Sequence, residues 1–128
     1  MISAPSVTQA AQNASRLVPS HSEDSLVRDF KSEAEAHAAK EAPKESCGVL
    51  VAGQYIPCRN IADHPEQDFV LNPVDYARAA LTGKIEAIIH SHPEGTPVSV
   101  ADLMACKQTK MPWHIYLLPH NEWLTINP

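Results

Sequence analysis

From Ser25 onward, Leu26, Val27, Phe30, Ala34 and Ala38 recur with charged residues between them, until Pro43. Spacings of three and four put these side chains on one stripe of an amphipathic helix, and a proline ends it because it lacks an amide proton and crowds the preceding turn. The period then changes. Cys47-Gly-Val-Leu-Val-Ala52 is a short run rich in β-branched residues, Gly53-Gln54 offers a turn, and Tyr55 to Cys58 returns, which predicts a hairpin. Residues 60 to 67 are aperiodic and predict a loop, followed by a short strand at Phe69-Val-Leu71. Asn72 caps a second helix with Pro73 at its first position, an apolar stripe of Val74, Ala77, Ala80 and Leu81, and Gly83 at its end. Ile85 to His90 reads as a buried strand. A third helix starts at Ser99 and carries Val100, Leu103, Met104 and Cys106, and the last strands are His114 to Leu118 and Trp123 to Ile126. Interleaved helices and strands predict an α/β (α+β) domain, a mixed, mostly antiparallel sheet flanked by helices. Residues 1 to 23, rich in Ala, Ser, Gln and Pro, predict a flexible arm ahead of a domain at 24 to 128.

Composition narrows the function. A chain of 128 residues holds one comfortable domain, so all functional groups share one core. Its net charge of -5 argues against a grip on the phosphates of nucleic acid, and its apolar runs are too short for a membrane span. The N-terminus lacks the basic flank and apolar core of a secretion signal. Cys47, Cys58 and Cys106 form no C-x-x-C pair, which points to a reducing compartment such as bacterial cytoplasm, with Cys106 serving packing on its helix.

The segment from His90 to Asp102 bears the chemistry. His90 and His92 stand two apart on a strand and project from the same face, so both imidazoles can reach one ion. Asp102, at the start of the next helix, supplies a third ligand. Three protein ligands leave a fourth tetrahedral position for water, the arrangement of catalytic zinc, which acidifies its water and polarises a carbonyl. Glu45 stands just before the first core strand, where an acid serves no packing purpose, and is the candidate general base. Ser99 and Asp102 also fit a purely structural reading, an N-cap followed by an acid in the first turn, and the two roles are compatible. His114, at a strand entrance, is assigned a structural role; His21, His37, His64 and His120 fall in the arm, an exposed helix or loops without partner spacing.

In these segments the chain resembles the JAMM (MPN-plus) metallopeptidases, whose pattern is a Glu beside an E-x-C-G strand and, later, H-S-H-P followed by S-x-x-D. Glu45-Ser-Cys-Gly48, His90-Ser-His-Pro93 and Ser99-Val-Ala-Asp102 match each part in order. The resemblance implies an MPN/JAMM domain with Zn2+ on His90, His92 and Asp102, Glu45 as acid-base, and Ser99 as the hydroxyl that steadies the oxyanion. Asp102 follows His92 by ten positions, where the family usually has eleven.

Within the family the chain most resembles the JAMM domain of tailed-phage tail-assembly proteins of the lambda K type, through Glu41-Ala-Pro-Lys-Glu-Ser-Cys-Gly48, Pro57-Cys-Arg-Asn60, Phe69-Val-Leu-Asn-Pro73 and Met111-Pro-Trp-His-Ile115. In such proteins a cysteine peptidase domain that cuts peptidoglycan stem peptides commonly follows. The implied function is hydrolysis of a peptide or isopeptide bond during tail assembly, in the host cytoplasm or in the virion tail. A protein or peptide substrate is expected, with other tail proteins as partners, among them a separate cell-wall cysteine peptidase. The alternatives are a tail-tip component without turnover, and a host enzyme acting on a ubiquitin-like sulfur carrier.

Overall fold

The computed structural model describes residues 22–128, with side chains from Phe30 onward. The expected arm, but for Ser22 and Glu23, lies outside the described residues, as do the side chains of Leu26 and Val27. The elements run α1 (Ser22–Glu41), β1 (Cys47–Val51), β2 (Gln54–Cys58), α2 (Pro73–Thr82), β3 (Ile85–His92), α3 (Val100–Thr109), β4 (Trp113–Leu117) and β5 (Glu122–Ile126). They form one five-stranded sheet in the order β2-β1-β3-β4-β5. Only β3 and β4 pair in parallel, with α3 as the crossover; the other neighbours are antiparallel. The expected mixed, mostly antiparallel sheet is present.

Alternation along the strands divides the core between two faces. On one face Val49, Val51, Ile56, Ile88 and Trp113 pack with Ala79 of α2 and Cys106 of α3. On the other, Tyr55 and Ile89 meet Phe30 and Ala34 of α1, with Leu50 and Trp123 at the edge. The spacing of Phe30, Ala34 and Ala38 is therefore the buried stripe that the sequence predicts. Trp123 ties α1 to β5 further, donating its indole N–H to Glu35 Oε2 at 2.8 Å.

Two expectations are corrected. Phe69–Leu71 is not a strand: its ladder is one isolated bridge, Asn60 with Leu71. The segment is held instead by the side chain of Asn60, which bonds to backbone on both sides of Phe69. Second, α2 turns Val74 and Leu81 outward, the latter 87% exposed, and buries Ala79 instead. Likewise α3 exposes Val100, Leu103 and Met104 and buries Cys106. In both helices a small side chain faces the sheet, which lets the helix approach closely. Gly83 ends α2 as expected, in extended backbone. A side chain there would meet Val51 Cγ1 at 2.8 Å, so close approach is what calls for glycine.

Gly48 has a similar reason. A Cβ on it would lie 2.5 Å from the Tyr55 ring and 2.6 Å from the Ile56 carbonyl oxygen, both fixed in the sheet. Gly48→Ala is expected to cost about 1–3 kcal/mol of overpacking strain, read from urea unfolding midpoints. A midpoint equal to wild type would show that the ring moves aside freely.

Candidate metal centre

Strand register brings Glu45 to the two histidines. Cys47 of β1 pairs with His90 of β3, and the contact continues beyond the ladder: Ser91 N–H donates to the Ser46 carbonyl at 3.0 Å, and Ser46 N–H donates to Ser91 Oγ at 2.8 Å. Two more residues along that register set Glu45 opposite His92, with the parity that puts its side chain on the same face as both histidines. That face also carries α2 and α3. The N-terminus of α3 delivers Asp102 to it.

The cap explains how Asp102 is aimed. Ser99 Oγ accepts the Asp102 amide at 3.0 Å, and Asp102 Oδ2 accepts the Ser99 amide at 3.3 Å, a reciprocal capping box. The capping reading of this pair is present in the structure and leaves the carboxylate free for a ligand role, since the ten-residue spacing still lets it reach both imidazoles. Asp102 Oδ1 lies 3.5 Å from His90 Nε2, Asp102 Oδ2 lies 3.2 Å from His92 Nε2, and the two Nε2 atoms are 3.2 Å apart. One donor atom from each residue lies within 4.8 Å of the others.

The donor chemistry fits a cation. His92 Nδ1 is 2.6 Å from the Thr96 carbonyl oxygen, which can only accept, so the ring proton sits at Nδ1 and a neutral His92 presents a lone pair at Nε2. That lone pair faces a carboxylate and another imidazole nitrogen, and such a group is held together by a proton or a metal ion. Zinc bonds of about 2.0–2.2 Å at tetrahedral angles would put ligand atoms roughly 3.4 Å apart, close to the separations found here.

The two carboxyl groups of the site are driven in opposite directions. Asp102 is half-buried, which alone would raise it, but its contacts with His90 and His92 win and hold it well below the usual carboxylate range. Glu45, only 8% exposed, is pushed up to about 7 by burial, against the pull of His92 and with the repulsion of Asp102 and Asp68. Burial lowers His90. It opposes His92 as well, but the Asp102 contact, the Thr96 carbonyl and the Glu45 charge together raise that group.

Glu45, His92, Ser99 and Asp102 line one open pocket of about 420 Å³, so four of the five expected site residues meet there. His90, the fifth, is 1% exposed and does not line the pocket, but its Nε2 lies 3.5 Å from Asp102 Oδ1 and 3.2 Å from His92 Nε2. The pocket's other wall was not anticipated: His64, Gln67 and Asp68 come from the loop between β2 and α2. No periodicity marks that loop. His37, expected on an exposed helix face, instead packs on Tyr55, with Nδ1 at 2.5 Å from the hydroxyl. His114 is structural as expected, its Nδ1 at 2.9 Å from Thr125 Oγ1. Cys106 is buried against α3's neighbours, its thiol 3.5 Å from the Met111 carbonyl.

Comparison with known proteins places the chain in a family. Residues 28–125 match the family model Prok-JAB, described as prokaryotic homologs of the JAB domain. The chain belongs to the Prok-JAB family. The matched residues take in β1 to β4 and all of β5 but its last residue, together with the positions of the five candidate residues. Over 98 residues the chain is 44% identical to tail tip assembly protein K of Escherichia phage N15, a match that takes in 73% of this chain and 40% of that protein. The chain therefore matches well under half the length of that relative. The solution structure of protein DSY2949 from Desulfitobacterium hafniense superposes with a TM-score of 0.61 over 75% of this chain and 76% of that one, at 21% identity, a likeness of fold. Among the described residues no helix is long and apolar enough to cross a membrane.

Proposed function

We propose that this Prok-JAB domain is a zinc-dependent peptidase or isopeptidase, with His90, His92 and Asp102 as the metal ligands, Glu45 as the acid-base and Ser99 as an oxyanion donor. The observation that carries the reading is the pair of carboxyl groups in one pocket with opposed proton affinities, Asp102 kept ionised and Glu45 pushed up to about 7. Such a separation assigns one group to holding charge and the other to moving protons. Zinc held there would acidify a water molecule and polarise the amide carbonyl. Glu45 takes a proton from the attacking water and hands it to the departing amine, and a carboxyl that exchanges its proton near neutrality suits both steps. Ser99 accepts the Asp102 amide through a lone pair, so its own proton can be donated to the carbonyl oxygen.

The tail-tip relative supports a setting in phage tail assembly. The substrate is then a tail protein or peptide, and the partners are other tail proteins, with a cell-wall cysteine peptidase among them. The site of action is the host cytoplasm during assembly and later the virion tail. The catalytic domain spans 24–128. A second reading, a structural tail-tip component without turnover, draws on the same relative, whose name speaks of assembly alone.

Metal analysis and assembly separate the two. Purified chain is expected to hold one zinc per molecule, and His92→Ala to hold none, by elemental mass spectrometry. Tail assembly with Glu45→Gln should stall with an uncut tail protein, detected by intact-mass spectrometry. Normal tails from a folded Glu45→Gln protein would leave the structural role standing and remove the catalytic one.

A further inference from the structure

A metal-binding imidazole usually donates its second ring nitrogen to an acceptor, which fixes the tautomer and the plane of the ring. His92 has this support from the Thr96 carbonyl. His90 lacks it: its Nδ1 is buried without a hydrogen-bond partner among the described residues. Two aromatic rings pack against the imidazole instead. Phe69 stacks on the imidazole with centroids 4.2 Å apart and planes 23° from parallel, and Trp113 meets it nearly perpendicular at 5.3 Å.

The clamp is itself braced. Trp113 is buried and donates its indole N–H to Thr109 Oγ1 at 2.9 Å. Phe69 has no strand ladder to hold it, but Asn60 brackets it. The Asn60 amide donates to the Asp68 carbonyl at 3.0 Å and accepts from the Val70 N–H at 3.0 Å, the residues on either side. The same Asn60 Nδ2 donates to the Glu45 carbonyl at 2.9 Å, so one side chain ties the loop to the segment that carries the acid.

We infer that Phe69 is a positioning residue for His90, a flat ring that replaces the missing hydrogen bond in fixing the imidazole plane, and that Asn60 holds Phe69 in place. The inference rests on the metal reading above. An imidazole stacked on Phe69 and met at a near right angle by Trp113 cannot swing freely about its last side-chain torsion, so Nε2 stays aimed at Asp102 and His92. A branched aliphatic side chain at position 69 fills space without offering a flat face, and the ring regains that freedom.

The test is a Co2+ titration of the full chain, read from the visible absorption of the bound ion, which reports both affinity and ligand geometry. Phe69→Leu is expected to weaken Co2+ binding at least about tenfold and to change the band shape, as loss of an outer partner does. Phe69→Tyr, which keeps the ring, should bind as wild type does. Asn60→Ala, which leaves the aromatic ring in place but unbraced, should shift affinity in the direction of Phe69→Leu. Thermal melts establish that folded proteins are compared, and if Phe69→Leu does not fold, Asn60→Ala decides alone. Wild-type affinity and spectrum in Phe69→Leu, or in Asn60→Ala where that variant decides, would overturn the clamp while leaving the metal site intact. Absence of Co2+ binding by the wild-type chain would remove the metal reading and the inference with it.

Discussion

Glu45→Gln is expected to cut hydrolysis by at least about 10²-fold and, in the same protein stripped of metal, to raise stability above pH 7. The two effects share one cause. Burial pushes the carboxyl from 4.5 up to about 7, so the folded chain holds this proton more tightly than the unfolded chain does. Between those two values the folded state carries the extra proton, and stability therefore falls as pH rises through the window. Above 7 the cost is complete, on the order of 3 kcal/mol before any relaxation of the site, at about 1.4 kcal/mol per pH unit. Glutamine keeps the shape and never ionises. Melting curves in chelator should nearly coincide for the two proteins at pH 4.5 and separate at pH 8, with the variant higher by on the order of 10 °C, given roughly 4 °C per kcal/mol for a domain near this size. A separation equal at both pH values would mean that Glu45 titrates normally and is not the acid-base. In the metal-loaded enzyme kcat/KM should fall as pH drops through the Glu45 midpoint, at or below about 7, because a nearby dication favours the carboxylate.

Local chemistry was legible in the sequence where each residue decides for itself. Asn72 accepts the Val74 and Asp75 amides as a cap, Pro73 stands at the first helical position, and the β1–β2 turn falls at Ala52-Gly53, one residue before the predicted Gly53-Gln54. The two histidines share a face because they are two apart on a strand, a statement that needs no partner. What joins Glu45 to them was not legible. It depends on the pairing of Cys47 with His90, across more than forty residues, and a slip of one position would have sent Glu45 to the α1 face.

The helix faces were misread for a physical reason. In α3 the stripe facing the sheet is Asp102, Ala105, Cys106 and Thr109, set by the need to aim Asp102 inward, so Leu103 and Met104 must turn out. A rule that buries the largest apolar residues fails when a functional side chain fixes the rotation of its helix. Phe69 misled in the same way: an aromatic beside Val70 reads as strand, yet its ring is committed to His90. The loop carrying His64 and Asp68 gave no signal because its order comes from Asn60, whose partners are mostly backbone groups that any sequence would supply.

Asp102→Asn should have the second largest effect, and its pH dependence distinguishes a charge-bearing ligand from a mere cap. Asparagine can still accept the Ser99 amide, so the start of α3 is kept. Metal affinity is expected to fall by more than the 10–100-fold typical of outer partners. In chelator the variant loses the charge that faces two imidazoles, on the order of 1.5–3 kcal/mol for hydrogen bonds to a charged group. That difference has two limits. Asp102 is held below its ordinary 3.8, so what it contributes is present above that value and is lost as the carboxylate protonates at lower pH. His92 is raised from 6.5, so its share is complete below 6.5 and fades as pH climbs through the raised midpoint. Wild type should therefore exceed the variant most between about pH 4 and 6.5, and less at pH 3 and pH 9, in urea unfolding at the three conditions. A gap that does not vary with pH would mean that the carboxylate acts only as a helix cap, and the three-residue metal site would lose its charged member.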